Sequence, residues 1–414
     1  MSTCIAASLD VALLGCGTVG SAFARLVADT SLAPIPLNVT GALVRDVARH
    51  RAAPAVPLTA DPRTLFLHHP HVLVELLGGV EPARTLILEA LERKIPVVTA
   101  NKTLLARCGT ELRRAADDAA TPLVYEAAVI AGVPFLGTFA RRPLAAAART
   151  LLGIVNGTSN YVLTRCAADG CDPARALAAA QRHGYAEPDP GNDVKGIDAA
   201  EKLSILLQHF ASVDVHPDSI ETAGLDTTSH AQIAHARALG GVIKPVVLAD
   251  WTRGLEAFVG PAFVPAVHVL SRVDGVDNVL VLGGRHGRLL FQGPGAGPDV
   301  TAATVLDDVH EVLTGLAASA PGRLRRERPF EPVTGWLVTL DAAGLPCLSE
   351  IADLFASYGI YTHRTSEKHF SDGREYQSFL VLPVERPRLA EGLRALRNAS
   401  GCSTTVVRAL EAAS

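Results

Sequence analysis

The chain has 414 residues, of which 48% are apolar and 19% charged, and its formal net charge is -4. Such a length exceeds one ordinary core and fits two or three domains. The composition excludes a disordered chain, and the charge balance gives no electrostatic footprint for a nucleic-acid partner.

In chain order, the first element is an apolar run, Leu9–Leu14, with strand character. GCGTVG follows at Gly15–Gly20, and then a stretch with helical spacing, SAFARLVAD. Strand, glycine turn and helix together fit the dinucleotide-binding GxGxxG pattern. Gly15 permits the tight turn, Gly17 lets backbone approach a pyrophosphate, and Gly20 lets helix and strand pack closely. Thr18 and Val19 open the helix, so their N–H groups face the phosphates. The second strand is expected at Asn38–Val44. An acid at its end would bind a ribose 2′-OH; Arg45 stands there instead and suits a 2′-phosphate, which favours NADP. Asp46, next in line, keeps NAD open.

Strand and helix patterns then alternate. His71–Gly79 reads as a strand, Pro82–Lys94 as an amphipathic helix, Pro96–Lys102 as a strand entering a helix, and Pro122–Val129 as a strand. Such alternation predicts an α/β fold with a Rossmann-type, doubly wound parallel sheet over residues 1–150. Ligands bind at the carboxyl ends of such strands, which puts Gly15–Gly20, Leu77–Gly79, Thr99–Lys102 and Glu126 on one rim.

Beyond residue 150, GYAEPDPGNDVKGIDAAEKLSIL (Gly184–Leu206) crowds acids and two lysines at the mouth of an apolar helix starting near Ile197. Asp198 and Lys202 are four apart and share a face; Glu201 points about 100° away. By residue type alone this is either an ordinary surface pair or a site that holds a zwitterion and moves a proton. DNVLVLGGRHGRLLF predicts a hairpin turning at Gly284–Gly287, and with the preceding strands a mixed sheet. The proline- and arginine-rich passage Pro321–Pro332 reads as a linker. The tail, residues 333–414, shows a βαββαβ order that matches a ferredoxin-like unit.

Seven cysteines (Cys4, Cys16, Cys108, Cys166, Cys171, Cys347 and Cys402) are odd in number and scattered, with no CxxC. They read as reduced thiols of a cytoplasmic protein rather than a disulfide framework or a zinc site. His68, His69 and His71 flank Pro70 with no carboxylate or thiol nearby, and read as a loop before a strand. Neither a signal peptide nor a membrane span is expected.

Several stretches resemble the homoserine dehydrogenase family: GCGTVG, VELLGG, VTANKTLLA, YEAAVIAGVP, GIVNGTSNYVL, the acidic stretch above and GPGAG, in the family's order from Gly15 to Gly297. The resemblance implies NAD(P)-dependent interconversion of L-aspartate 4-semialdehyde and L-homoserine. It also implies a helix near 300–318 returning to the nucleotide domain, a substrate-binding and dimerisation domain over 151–320, and an ACT-like tail. A homodimer or higher homo-oligomer is implied by the same route.

The chemistry agrees. Reduction needs a hydride at the carbonyl carbon and a proton at its oxygen. The resemblance gives Lys202 the proton-donor role, with Asp198 beside it. A free lysine, at a pKa of about 10.4, is a weak donor at neutral pH, and burial would lower that value while Asp198 opposes the change. Lys102 is implied near nicotinamide and substrate, with Thr99 and Gly297 also on the cofactor. Glu187 is implied to hold the substrate's ammonium group and Asp193 to be another acid lining the pocket, with Asn156, Gly157 and Thr158 shaping it. A sodium loop is implied by Glu126 and the carbonyls of Val129, Ala131 and Val133. Three departures stand out: Ala131 replaces a usual glycine, Val300 replaces a usual proline before Thr301, and DAAGLPCLSEIA replaces a D-x-P-G-x-L-type turn. A sister dehydrogenase acting on a related 4-oxo amino acid would carry the same lysine. A binding protein without turnover would not need both Lys102 and Lys202.

Overall fold

The structure, a computed structural model, describes residues 8–29, 35–49, 56–140, 148–317, 324–330, 332–371 and 373–411. The chain forms two compact units that are not sequential stretches. One gathers residues 1–149, 201–217 and 283–327; the other gathers 150–200, 218–282 and 328–414.

In the first unit six parallel strands lie in the order Leu58–Thr59, Leu37–Leu43, Leu9–Leu14, Val72–Glu75, Val97–Thr99, Leu123–Val124. The order reverses between Leu9–Leu14 and Val72–Glu75, and the crevice at such a reversal is where a doubly wound sheet takes its ligand. Residues Val11–Leu14 are fully buried, as expected for a strand covered on both faces. Helix Thr18–Ala28 lays Ala22, Phe23 and Val27 on the sheet. Helix Pro298–Leu313 returns to the same core with Ala302, Val305, Leu306, Val309 and Val312, a helical-period stripe. It begins with Pro298 in its first turn, so the helix start keeps a proline two positions before Val300.

Two expected elements differ. Pro122–Val129 holds only a two-residue strand, Leu123–Val124, before a 3₁₀ turn at Glu126–Ala128. The passage read as a linker holds a two-residue strand where it is described: exposed Arg325–Arg326 pairs in parallel with Val213–Asp214, and Arg325 N donates to Ser212 O at 2.8 Å. Pro321 to Arg323 and Glu331 lie outside the described residues.

In the second unit one mixed sheet contains, in order, Asp277–Gly284, Ala148–Ile154, Gly241–Asp250, Glu256–Pro265, Ser403–Ala409, Thr334–Ala342, Arg374–Val384 and Thr362–Thr365. Gly241–Asp250 and Glu256–Pro265 pair antiparallel along their whole lengths. The tail joins this sheet through a parallel contact, Ala262 with Arg408 and Phe263 with Ala409. Alternation along Thr334–Ala342 divides its side chains. Trp336, Val338 and Leu340 meet Ile351, Phe355, Leu389 and Leu393 of the tail's two helices. Leu337 on the other face meets Val162, Ile233 and Phe263. Among the described residues no helix is long and apolar enough to cross a membrane.

Phe23 is fully buried where the glycine-turn helix meets the sheet. Phe23→Ala should cost about 3–5 kcal/mol of stability, read from urea unfolding.

Candidate active site

In the first unit the candidate nucleotide site starts at the glycine turn. Gly15 has φ +100°, and a Cβ there would sit 2.8 Å from Leu76 O. A Cβ on Gly20 would overlap the carbonyl oxygen of Gly15. Around Gly17 the space is open, and Gly17 and Thr18 are exposed while Val19 is half-buried. No side chain caps helix Thr18–Ala28, so its first N–H groups are available to an anion. Arg45 is exposed just beyond strand Leu37–Leu43. Asp46 turns one oxygen back on Ala48 N at 2.9 Å. Gly297 immediately precedes helix Pro298–Leu313.

At the strand ends beside this turn lies a carboxylate that sequence reasoning passed over. Glu75 is fully buried; it accepts from Thr99 Oγ1 at 2.5 Å, Leu77 N at 2.8 Å and Asn101 Nδ2 at 3.2 Å. Burial raises its pKa, and those three donors oppose the rise. The Thr99 hydroxyl is therefore committed inside the rim. Asn101 caps the next helix, its Oδ1 accepting from Leu104 N at 3.1 Å. That cap places Lys102, half-buried, as the helix's first residue. One residue on, Thr103 Oγ1 donates to Glu201 Oε2 at 2.9 Å. Glu201 is thus a structural acid, buried rather than solvated.

Lys202 follows it on helix Ile197–Phe210 and is 7% exposed. Asp198, four residues earlier on the same helix, is 4% exposed. Those two values remove the ordinary surface-pair reading left open by the spacing.

In the second unit Asn156 caps helix Gly157–Asp169, its Oδ1 accepting from Ser159 N at 2.8 Å. Its Nδ2 donates to both Asp193 Oδ1 and Asp198 Oδ2, each at 2.8 Å. Ser159 Oγ donates to Asp193 O at 3.0 Å, and Thr158 Oγ1 to Tyr185 O at 2.8 Å. Asn156, Ser159, Asp193 and Gly196 line a cavity of about 20 Å³, the size of one water. Glu187 is exposed on the loop before this cluster, its carbonyl held by Gln181 Nε2 at 3.2 Å. The structure therefore brings Asn156, Asp193 and Asp198 together and leaves the Glu187 carboxylate outside their hydrogen bonds.

The expected ion loop is organised by its own side chain. Glu126 accepts from Phe135 N and Leu136 N at 2.8 Å and from Gly137 N at 2.7 Å. Val129 N donates to Glu126 O at 3.4 Å, Val133 N to Ile130 O at 3.0 Å, and the Ala131 carbonyl accepts from Thr304 Oγ1. Both carboxylate oxygens of Glu126 are thus occupied by backbone donors. Among the described residues no group of three or more His, Cys, Asp or Glu side chains could hold a metal ion. Asp308, missed in the sequence, is 3% exposed and accepts from the backbone N–H groups of Glu126 and Ala127, while its Oδ2 has no partner. Its signal was an acid on the apolar stripe of Val305, Val309 and Val312. Burial, then the nearby Glu126 and Glu311, push its pKa well above the usual carboxylate range.

The homoserine dehydrogenase model matches residues 134–310, and the model for the homoserine dehydrogenase NAD-binding domain matches residues 15–126. A homoserine dehydrogenase of Synechocystis is 36% identical over 324 residues, covering 75% of each chain. One from Pseudomonas aeruginosa is 31% identical and covers 97% of this chain and 98% of its own. Among solved structures, a homoserine dehydrogenase from Thiobacillus denitrificans superposes with TM-score 0.89 at 28% identity, over 98% of this chain and 99% of its own. A hyperthermophilic archaeal homoserine dehydrogenase in complex with NADPH gives TM-score 0.63 at 25% identity, over 75% of this chain and 98% of that one.

The raised pKa of Asp308 has a definite sign in stability. Its folded value exceeds the unfolded one of about 3.9, so the folded state holds the proton more tightly and stability falls as pH rises through the folded pKa. Asp308→Asn removes that dependence. Its melting temperature should exceed the parent's at about pH 8, with the gap narrowing as pH falls and closing toward about pH 4 in thermal melts.

Proposed function

This chain belongs to the homoserine dehydrogenase family and is an NAD(P)-dependent oxidoreductase acting on L-aspartate 4-semialdehyde and L-homoserine; from that premise we propose that Lys202 is its proton donor and NADP its preferred cofactor. The observation that carries the reading is the burial of Lys202 and Asp198 one helical turn apart. Two opposite charges withdrawn from water are costly to keep unless they serve each other or a ligand.

A nicotinamide held at the glycine turn would supply the hydride that C4 of the semialdehyde receives. Lys202 gives its proton to the carbonyl oxygen as that bond is reduced, and takes it back when homoserine is oxidised. Asp198 fixes the ammonium of Lys202 in direction. Asp193 offers a carboxylate to the ammonium group of the amino acid, with Glu187 contributing from the loop before it. Asn156 and Thr158 hold the backbone and carboxylates on which that recognition depends. Lys102, at a helix start braced by Asn101, orients the substrate carboxylate. Gly17, Thr18 and Val19 would face the pyrophosphate, with Gly15 and Gly20 giving the turn its close packing; Thr99 and Gly297 would border the cofactor, and Arg45 would pair with a 2′-phosphate. A monovalent cation there would be held by the Glu126 carboxylate, which has an acceptor site left beyond its three backbone donors, and by the carbonyls of Val129, Ala131 and Val133.

The assay is oxidation of NADPH with aspartate semialdehyde, repeated with NADH. Lys202→Ala should lower kcat by about 10²–10⁴-fold and leave NADP affinity within a small factor. Loss of cofactor binding instead would remove Lys202 from the proton-donor role. Arg45→Ala should raise the KM for NADP by about 10-fold or more and scarcely move that for NAD. An equal change for both would remove the 2′-phosphate assignment.

A further inference from the structure

The C-terminal strands carry none of the residues assigned to the reaction, yet one of them delivers a buried charge to the substrate-binding unit. Arg408, on strand Ser403–Ala409, is 4% exposed. Its Nη1 donates to Glu256 Oε1 at 2.7 Å and its Nη2 to Glu221 Oε2 at 2.6 Å. The guanidinium lies 4.4 Å from the centre of the Phe258 ring. Arg386, first residue of helix Arg386–Ser400, donates to the remaining oxygen of Glu221 at 2.5 Å. Both oxygens of Glu221 are therefore held by arginines of the tail. A planar guanidinium stacked on a ring and bonded to two carboxylates has little freedom to turn.

Glu221 opens a short strand, Glu221–Thr222, that pairs in parallel with Glu256–Pro265. Ala223 N extends the pairing to Val259 O at 2.8 Å. The same few residues form the wall against which the acidic turn is built. A Cβ on Gly196 would sit 2.9 Å from Thr222 Cγ2, and one on Gly224 would sit 3.1 Å from Val194 O and 3.3 Å from Lys195 Cα. Gly196 has φ +77°, a conformation that favours glycine. Its N–H donates to Asp193 O at 3.1 Å, and its carbonyl accepts from Ala200 N at 2.9 Å. The backbone resting on Thr222 and Gly224 thus carries Asp193 on one side and Asp198 on the other. Close-packed contacts of this kind pass a displacement on rather than absorb it.

We propose that Arg408 and Arg386 are positioning residues for the amino-acid substrate: by fixing Glu221 they fix the Thr222–Gly224 wedge, and through it the placement of Asp193 and Asp198. This deepens the function proposed above and rests on Asp193 and Asp198 acting on the substrate. Affinity for the amino acid, and not for the nucleotide, then depends on an ion pair formed by the tail.

The test is steady-state kinetics of the full chain with homoserine and NADP. Turnover by the parent enzyme is measured before any variant: its absence would sink the reaction itself, whereas the variants bear only on positioning. Glu221→Gln keeps the shape and removes the charge; the KM for homoserine should rise about 3- to 30-fold while the KM for NADP stays put. Thr222→Ser removes the methyl group that touches Gly196 and spares the ion pairs; it should move the same constant in the same direction. Together the two should have a non-additive effect, as changes along one mechanical link do. An unchanged homoserine KM in Glu221→Gln, or both KM values moving together, would overturn the proposal and leave the ion pairs a folding role. If Glu221→Gln does not fold, Thr222→Ser decides alone by the same criterion.

Discussion

One amide group holds two carboxylates. Asn156 donates a hydrogen bond to Asp193 and another to Asp198, and its own oxygen caps the helix behind it. Two acids brought close together repel unless donors or a cation between them offset the repulsion. The amide supplies part of that offset and fixes the geometry, because each of its polar atoms is used. The result is two carboxylates held at one place, the arrangement that the proposed recognition of an ammonium group calls for.

The nucleotide unit uses the same device. Asn101 caps the helix that follows strand Val97–Thr99, and its Nδ2 reaches Glu75 and the carbonyl of Gly79. In both places an asparagine at a strand-to-helix junction closes the helix start with its oxygen and restrains a neighbouring acid with its nitrogen. The choice of residue follows from that double duty. Serine or threonine caps a helix as well but cannot donate two bonds, and aspartate caps it while adding a charge. A residue of the proposed site then sits next to a rigid point: Lys102 directly after Asn101, and Asp198 directly bonded to Asn156.

What the sequence disclosed was local. The strand, glycine turn and helix of Leu9–Ala28 are written in consecutive residues, and their glycines are needed for reasons visible in the pattern. The spacing of Asp198 and Lys202 was equally legible, but their burial was not. Burial depends on what other segments cover, and a four-residue interval is the same on a wet helix as on a dry one. Asp308 shows the converse. Its position on an apolar stripe was readable, whereas the donors to its carboxylate, at Glu126 and Ala127, come from a segment far away in sequence. The charges of Arg325–Arg326 do face solvent, but their backbone pairing with Val213–Asp214 was not legible, because such a pairing needs no particular side chains.

The tail obeys the same logic at larger scale. Its alternating strands and paired helices predict a compact unit, and its inner helices form a core of their own. Nothing in that pattern says that its last strand should pair with Glu256–Pro265, or that Arg408 should cross to Glu221 and Glu256. A buried arginine is costly to strand, so its two carboxylates must be in place whenever the tail is docked. The reverse also holds, since Glu221 has both its oxygens occupied only when Arg408 and Arg386 are present. Docking of the tail and the setting of the Glu221–Gly224 segment are therefore one event in energy. A segment that carries none of the assigned reaction residues thereby becomes part of what holds Asp193 and Asp198 where Asn156 can reach both.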